Sequence, residues 1–68
     1  MYAIRHKRSK MWVCGTDYRP MPYRQKTSSS IALTYRSYSL AKVDFALRMC
    51  GQEYEIVRVR IMEDTDGD

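Results

Sequence analysis

The sequence holds one histidine, His6, and four carboxylates ahead of its acidic end: Asp17, Asp44, Glu53 and Glu55. A histidine acting as general base needs a nucleophile or an acidic partner within reach. His6 stands in no Ser/His/Asp or Cys/His pattern, and the carboxylates are scattered over the chain. The glycines at 15, 51 and 67 form no phosphate-cradling loop. Cys14 and Cys50 lack the short paired spacings of a zinc site. They read as small hydrophobes for burial, and no secretory signal supports a disulfide between them. No catalytic residue, cofactor or metal ion is expected.

The residues that remain suit binding. Arg5 and Lys7 near one end of the chain, and Arg58 and Arg60 near the other, can gather on one sheet face with Tyr54 and Ile56. Basic groups beside aromatics suit phosphates and stacked bases. Tyr18, Arg19, Tyr23 and Arg24 surround Pro20-Met21-Pro22. Prolines lower the entropy lost on docking, and Tyr and Arg are frequent interface anchors. Between these regions runs a helix with two apolar stripes. Leu40, Val43, Ala46, Leu47 and Cys50 form the first; Tyr38, Ala41, Phe45 and Met49 form the second. A helix packed on one sheet face needs about one stripe. The surplus either lies under the 15–30 segment or forms a dimer or partner interface.

The elements that position these residues follow from period and punctuation. Tyr2-Ala3-Ile4-Arg5-His6 alternates as a strand does. Arg8-Ser9-Lys10 makes a polar turn, and Met11-Trp12-Val13-Cys14 is a second strand that Gly15 ends, giving a β-hairpin. Residues 15–30 carry two prolines and a serine run, which exclude a regular helix or a central strand and predict a long loop. Ile31–Tyr35 is a short third strand. Ser37 or Ser39 can cap a helix that runs to about Cys50. Gly51 stands where a left-handed C-terminal residue is wanted, and Arg48 in the last turn complements the helix dipole. Tyr54–Ile61 is the last strand, with Val57, Val59 and Ile61 on one face and Arg58 and Arg60 on the other. The reading is an α+β fold: a small antiparallel sheet in the order β-β-(β)-α-β with one helix on one face. Its core is Tyr2, Ile4, Val57, Val59 and Ile61 against the helix.

With 68 residues the chain is one domain, residues 1–62, followed by a disordered acidic tail, residues 63–68. A domain this small buries only about 60% of its unfolded surface, which leaves little room for a deep pocket. Hydrophobic residues make up 44%, too many for a disordered chain. No apolar run approaches a membrane span, and the basic start lacks the apolar stretch of a signal peptide. A soluble, cytoplasmic protein is expected. Residues 1–62 hold all twelve bases against four acids, a net +8 that attracts nucleic acid or an acidic protein surface.

Met1-Tyr2-Ala3-Ile4, Tyr35-Arg36-Ser37 leading into a helix with Ala41, and Tyr54-Glu55-Ile56-Val57-Arg58-Val59 resemble many short proteins encoded by bacteriophages. The helix followed by alternating valine and arginine also resembles the small podovirus inhibitors of bacterial RNA polymerase. The resemblance covers residues 1–14 and 35–62. It implies a sheet with one helix and a blocking role without catalysis. This helix has Asp44 as its only acid, beside Lys42 and Arg48, where the helix of that inhibitor is acidic. Anti-CRISPR proteins are another phage class of this size; many imitate DNA with acidic surfaces, whereas this body is basic. The leading expectation is a phage-type protein that binds and blocks a host machine, either RNA polymerase or a defence nuclease complex, with no membrane contact. The alternative is a basic nucleic-acid-binding module working through the Arg/Lys sheet face. A homodimer through the helix is a further option.

Overall fold

A computed structural model describes residues 1–60; the expectations for Ile61 and for the 63–68 tail lie outside the described residues. The chain forms β1 (Tyr2–His6), β2 (Trp12–Asp17), β3 (Arg24–Ser28), β4 (Thr34–Tyr35), α1 (Tyr38–Leu47) and β5 (Tyr54–Arg58). This is the expected α+β arrangement: one helix on a small antiparallel sheet.

The first strand is the centre of the sheet. β5 pairs with it along its whole length, from Tyr2↔Arg58 to His6↔Tyr54. A strand has two hydrogen-bonding edges, so β2 and β4 share the other one. β2 meets it at Arg5↔Trp12, and β4 at Tyr2↔Tyr35 and Ala3↔Thr34. The hairpin turn between β1 and β2 closes with a left-handed Lys10 (φ 63). His6 braces it: Nδ1 accepts the backbone N–H groups of Arg8 and Ser9 at 3.3 and 3.1 Å.

Residues 15–30 depart from the expected loop. Gly15 does not end the second strand; the register shifts between Val13 and Gly15, and β2 runs on to Asp17. A bulge lets the strand bend without losing its partner. β3 then pairs back on β2, from Asp17↔Arg24 to Trp12↔Ser28. Pro20 and Pro22 occupy the hairpin tip, outside the paired stretch, with a cis Met21–Pro22 bond. The exclusion of a central strand holds for β3, which among the described residues pairs only with β2, but not for residues 15–17, which belong to β2 between β3 and β1. Its residues, Arg-Gln-Lys-Thr-Ser, carry no apolar alternation, so backbone pairing defines the strand. The third expected strand shrinks to Thr34–Tyr35.

The helix begins where Ser37 accepts the N–H of Leu40 through its side chain, at 3.2 Å. It stops at Leu47, short of Cys50. Arg48 caps it, and the left-handed residue is Met49 (φ 53). Met49 N–H donates to Ala46 O at 3.0 Å and Cys50 N–H to Phe45 O at 3.2 Å, the two bonds of a Schellman ending. Gly51 is also left-handed (φ 79), two residues later, and bends the chain toward β5.

The core differs from expectation by one residue of register. Ile4 pairs with Ile56, and Ala3 with Val57. Paired residues share a sheet face, so Ile56 and Tyr54 join Ile4 beneath the helix while Val57 goes to the opposite face. The core is Ile4, Val13 and Cys50, packed by Leu33, Tyr35, Phe45, Tyr54 and Ile56. Val57 and Val59 were expected inside and are only half-buried. The cause is that Tyr54-Glu55-Ile56 starts the alternation one position earlier than the valines do.

Candidate functional site

The predicted basic sheet face does not assemble. Arg5 shares its face with Glu55 and Val57, whereas Arg58 stands opposite Tyr2 on the face of Ile4 and Ile56. Arg5 is also already engaged. Its Nε and Nη2 donate to Glu55 Oε2 at 2.9 and 2.7 Å, and its guanidinium lies 5.8 Å from the Trp12 ring centroid. Those bonds hold the Glu55 carboxyl below the usual carboxylate range. Lys7 is exposed at the end of β1. Arg60 lies past the end of β5, near Met1, Arg58 and Val59.

The proline segment is a hairpin tip with internal order. Tyr18 and Tyr23 meet edge to face with centroids 4.8 Å apart. Arg19 folds back on Asp17, donating from Nε and Nη2 at 2.9 Å each and from its backbone N–H at 3.1 Å. The first of these bonds lowers the Asp17 pKa and raises that of Arg19. Arg24 is exposed, Tyr23 half-buried, and Met21 is 74% exposed. The tip borders an open trough of about 620 Å³ whose other wall is the 49–54 turn.

The helix sorts its two stripes in part: Tyr38 and Met49 of the second are 51% and 49% exposed, and Cys50 of the first is buried. Ala41 is fully buried and Phe45 packs on the core. Arg48 and Asp44 lie next to Ala41 on the helix wheel, on the side away from Phe45, and form a polar network that the sequence reading did not anticipate. Arg48 Nε donates to Asp44 Oδ2 at 2.6 Å, and Arg48 Nη1 to Thr16 Oγ1 at 2.8 Å. Tyr35 Oη also donates to Asp44. Thr16 Oγ1 donates to Gln25 Oε1, and Gln25 Nε2 returns to Arg48 O, both at 2.6 Å. Desolvation raises the Asp44 pKa, but the bonds from Arg48 and Tyr35 outweigh it and leave the carboxyl below its ordinary range. Burial, then Asp44, pushes the Tyr35 hydroxyl up to about 12. The (i, i+4) spacing of Asp44 and Arg48 was the available signal.

On the other side of the helix, Leu40, Val43 and Leu47 are 55%, 58% and 67% exposed. The 15–30 segment does not cover them. They stand in one row at (i, i+3, i+7) spacing.

His6 acts as a turn brace, with Nε2 4.0 Å from Glu53 and its ring edge to face on Tyr54. Burial pushes the Cys50 thiol up to about 11, which keeps it protonated and unreactive at neutral pH. Among the described residues, no cluster of His, Cys, Asp or Glu could hold a metal ion, and no helix is long and apolar enough to cross a membrane. No family model, curated protein or solved structure matches the chain.

Proposed function

We propose that the protein works by docking on a larger protein partner through the Leu40–Val43–Leu47 face of α1. The exposure of this aliphatic row carries the reading. Such a row contributes little to the fold while it faces water. A partner that covers it gains about 25 cal/mol per Å² of apolar surface removed from solvent. The resemblance to phage-encoded inhibitors fits this mode of action. A protein that blocks RNA polymerase or a defence nuclease complex in the bacterial cytoplasm needs an adhesive face and no substrate cavity. Tyr18, Arg19, Tyr23 and Arg24 at the hairpin tip supply a second set of anchors.

A nucleic-acid-binding module is the second reading. Of the twelve Lys and Arg, only Arg5, Arg19 and Arg48 have a carboxylate within 4.0 Å among the described residues. The other nine have no such partner among the described residues and can meet phosphates.

The test is capture from nuclease-treated bacterial lysate on three immobilised proteins: wild type, Val43→Asp with Leu47→Asp, and Arg58→Ala with Arg60→Ala. The expected result is a protein held by the wild type and the arginine variant and released by the helix variant. Retention that needs intact nucleic acid and disappears in the arginine variant supports the second reading instead. A wild-type sedimentation coefficient that rises with concentration, and stays constant in the helix variant, shows a homodimer.

A further inference from the structure

Among the described residues β5 is an edge strand, and its register shows which of its backbone groups have no partner there. Lys7 N–H donates to Glu53 O at 2.9 Å, and Val59 N–H donates to Met1 O at 2.8 Å. In an antiparallel ladder the hydrogen-bonded pairs alternate along the strand. Glu53, Glu55, Val57 and Val59 therefore turn their backbone groups toward β1. Ile56 and Arg58 turn theirs away from it, as Tyr54 does, and the Tyr54 N–H is taken by Gly51 O at 3.3 Å. Among the described residues nothing bonds the outward N–H and C=O of Ile56 and Arg58.

Beside this edge lies an open groove of about 300 Å³ between α1 and β5. Tyr38, Lys42, Phe45, Tyr54, Ile56 and Lys7 line it. Its base is aromatic and aliphatic. Its rim carries two ammonium groups, both exposed and without a carboxylate within 4.0 Å among the described residues. Its one carboxylate, Glu55, is held by Arg5 at 2.7 Å. Arg58 adds a further exposed cation along the edge.

We infer that the β5 edge accepts an extended acidic segment of a partner protein as an added strand. The unpaired backbone row supplies the ladder, as in strand addition to other sheet edges. Every second side chain of the incoming strand faces the groove, where an apolar group meets Phe45 and Ile56 and a carboxylate meets Lys42 or Lys7. Charge selects the occupant: a basic or neutral strand would leave these cations unmatched. Single-stranded nucleic acid fits less well, because it cannot complete the amide row. Two of the rings are also already packed edge to face, Tyr54 on His6 at 5.0 Å and Tyr38 on Tyr2 at 5.8 Å. This surface is separate from the Leu40–Val43–Leu47 row, and its occupancy is read at amides outside that row.

The test uses the full chain labelled with ¹⁵N and, as probe, an eight-residue peptide alternating valine and glutamate. In the free protein the amides of Ile56 and Arg58 exchange with solvent at least tenfold faster than those of Glu55 and Val57. The peptide slows Ile56 and Arg58 exchange, and binding weakens at least tenfold in each of three arms. These are a peptide N-methylated at alternate residues, a valine–lysine peptide, and the Lys7→Glu/Lys42→Glu variant, whose changes lie at exposed positions. Arg58→Pro, which removes one outward N–H from an edge strand, weakens binding more than Arg58→Gln does. Undiminished binding of the N-methylated or lysine peptide overturns the inference. So does protection of Ile56 and Arg58 in the free protein: at all concentrations it means that the chain covers its own edge, and only at high concentration it means that a second copy does. Tighter binding of an oligothymidylate than of the peptide at the same residues assigns the groove to nucleic acid.

Discussion

Along α1, Ala41 is fully buried and Phe45 packs against the Ile4–Val13–Cys50 cluster, while Leu40, Val43 and Leu47, about two-fifths of a turn away, stand 55–67% exposed. By hydrophobicity alone the leucine–valine row is the better candidate for the core. What differs is the polar company of the other stripe. Arg48 and Asp44 lie next to Ala41 on the wheel, on its side away from Phe45, and Tyr35, Thr16 and Gln25 wait on the sheet to bond them. A carboxylate and a guanidinium that leave water cost several kcal/mol unless each finds partners. The sheet offers those partners in one helix orientation. Apolar surface drives the helix onto the sheet, and the hydrogen-bond network selects which side goes down.

The most disruptive way to probe the two stripes is to place the same carboxylate on each. Ala41→Asp buries an unpaired charge at a fully buried position. That costs several kcal/mol, against a total stability of roughly 3–5 kcal/mol for a core this small. The variant is expected to be unfolded by circular dichroism at 25 °C. Val43→Asp, two residues on, should keep the fold and lose no more than about 1 kcal/mol in urea denaturation, chiefly through helix propensity. A folded Ala41→Asp protein would mean that the leucine row can take the inner place.

The selecting network is probed by Asp44→Asn, which weakens the bonds from Arg48 and Tyr35 and is expected to cost about 1–2 kcal/mol at pH 7. Its pH dependence has a definite sign. The Asp44 carboxyl titrates below its ordinary value in the folded protein, so its contribution is complete above that value and is lost as pH falls through the folded one. The Tyr35 hydroxyl is raised to about 12, so its contribution is complete below about pH 10 and is lost as pH climbs toward 12. Urea midpoints measured from pH 3 to 11 should decline at both ends in the wild type. Asp44→Asn flattens the acid limb in part, because Glu55 beside Arg5 and Asp17 beside Arg19 titrate with the same sign. Tyr35→Phe flattens the alkaline limb in part, because the raised Cys50 thiol and Tyr54 hydroxyl titrate with the same sign. An acid limb unchanged in Asp44→Asn would remove the network from the explanation.

How far the sequence revealed this arrangement depends on which physical signal each part carries. β1, the β1–β2 hairpin, the Ser37 cap and the two stripes are written in local period and chemistry, and all were legible. β3 was not, because Arg-Gln-Lys-Thr-Ser has no apolar alternation and owes its form to pairing with β2. The register of β5 was misread by one residue: the run Ile56-Val57 allows either parity, and only the pairing of Ile4 with Ile56 decides it. That single residue separates Arg5 from Arg58 and dissolves the expected basic face. The exposed helix row was legible as a surplus stripe, but its outward position follows from contacts distant in sequence, such as Thr16 with Arg48.

The smallest effect tests how the helix is terminated, which fixes where the Ala41 stripe meets the sheet. Met49 holds a left-handed backbone (φ 53) and closes the Schellman ending through its N–H to Ala46 O. A side chain in that region costs roughly 1–2 kcal/mol, and glycine there costs nothing sterically but adds freedom to the unfolded chain. Met49 is 49% exposed, so its removal forfeits only part of its packing. Met49→Gly is expected to raise stability by about 0.5 kcal/mol. Gly51 is left-handed as well (φ 79), with open space where a Cβ would stand, so Gly51→Ala meets no clash and should lower stability by about 1 kcal/mol through backbone strain alone. Opposite signs at two positions two residues apart cannot come from a general preference for or against glycine. If both substitutions destabilise, the Met49 side chain holds the 49–54 turn more firmly than its backbone is strained, and the helix end is fixed by packing instead of by its hydrogen bonds.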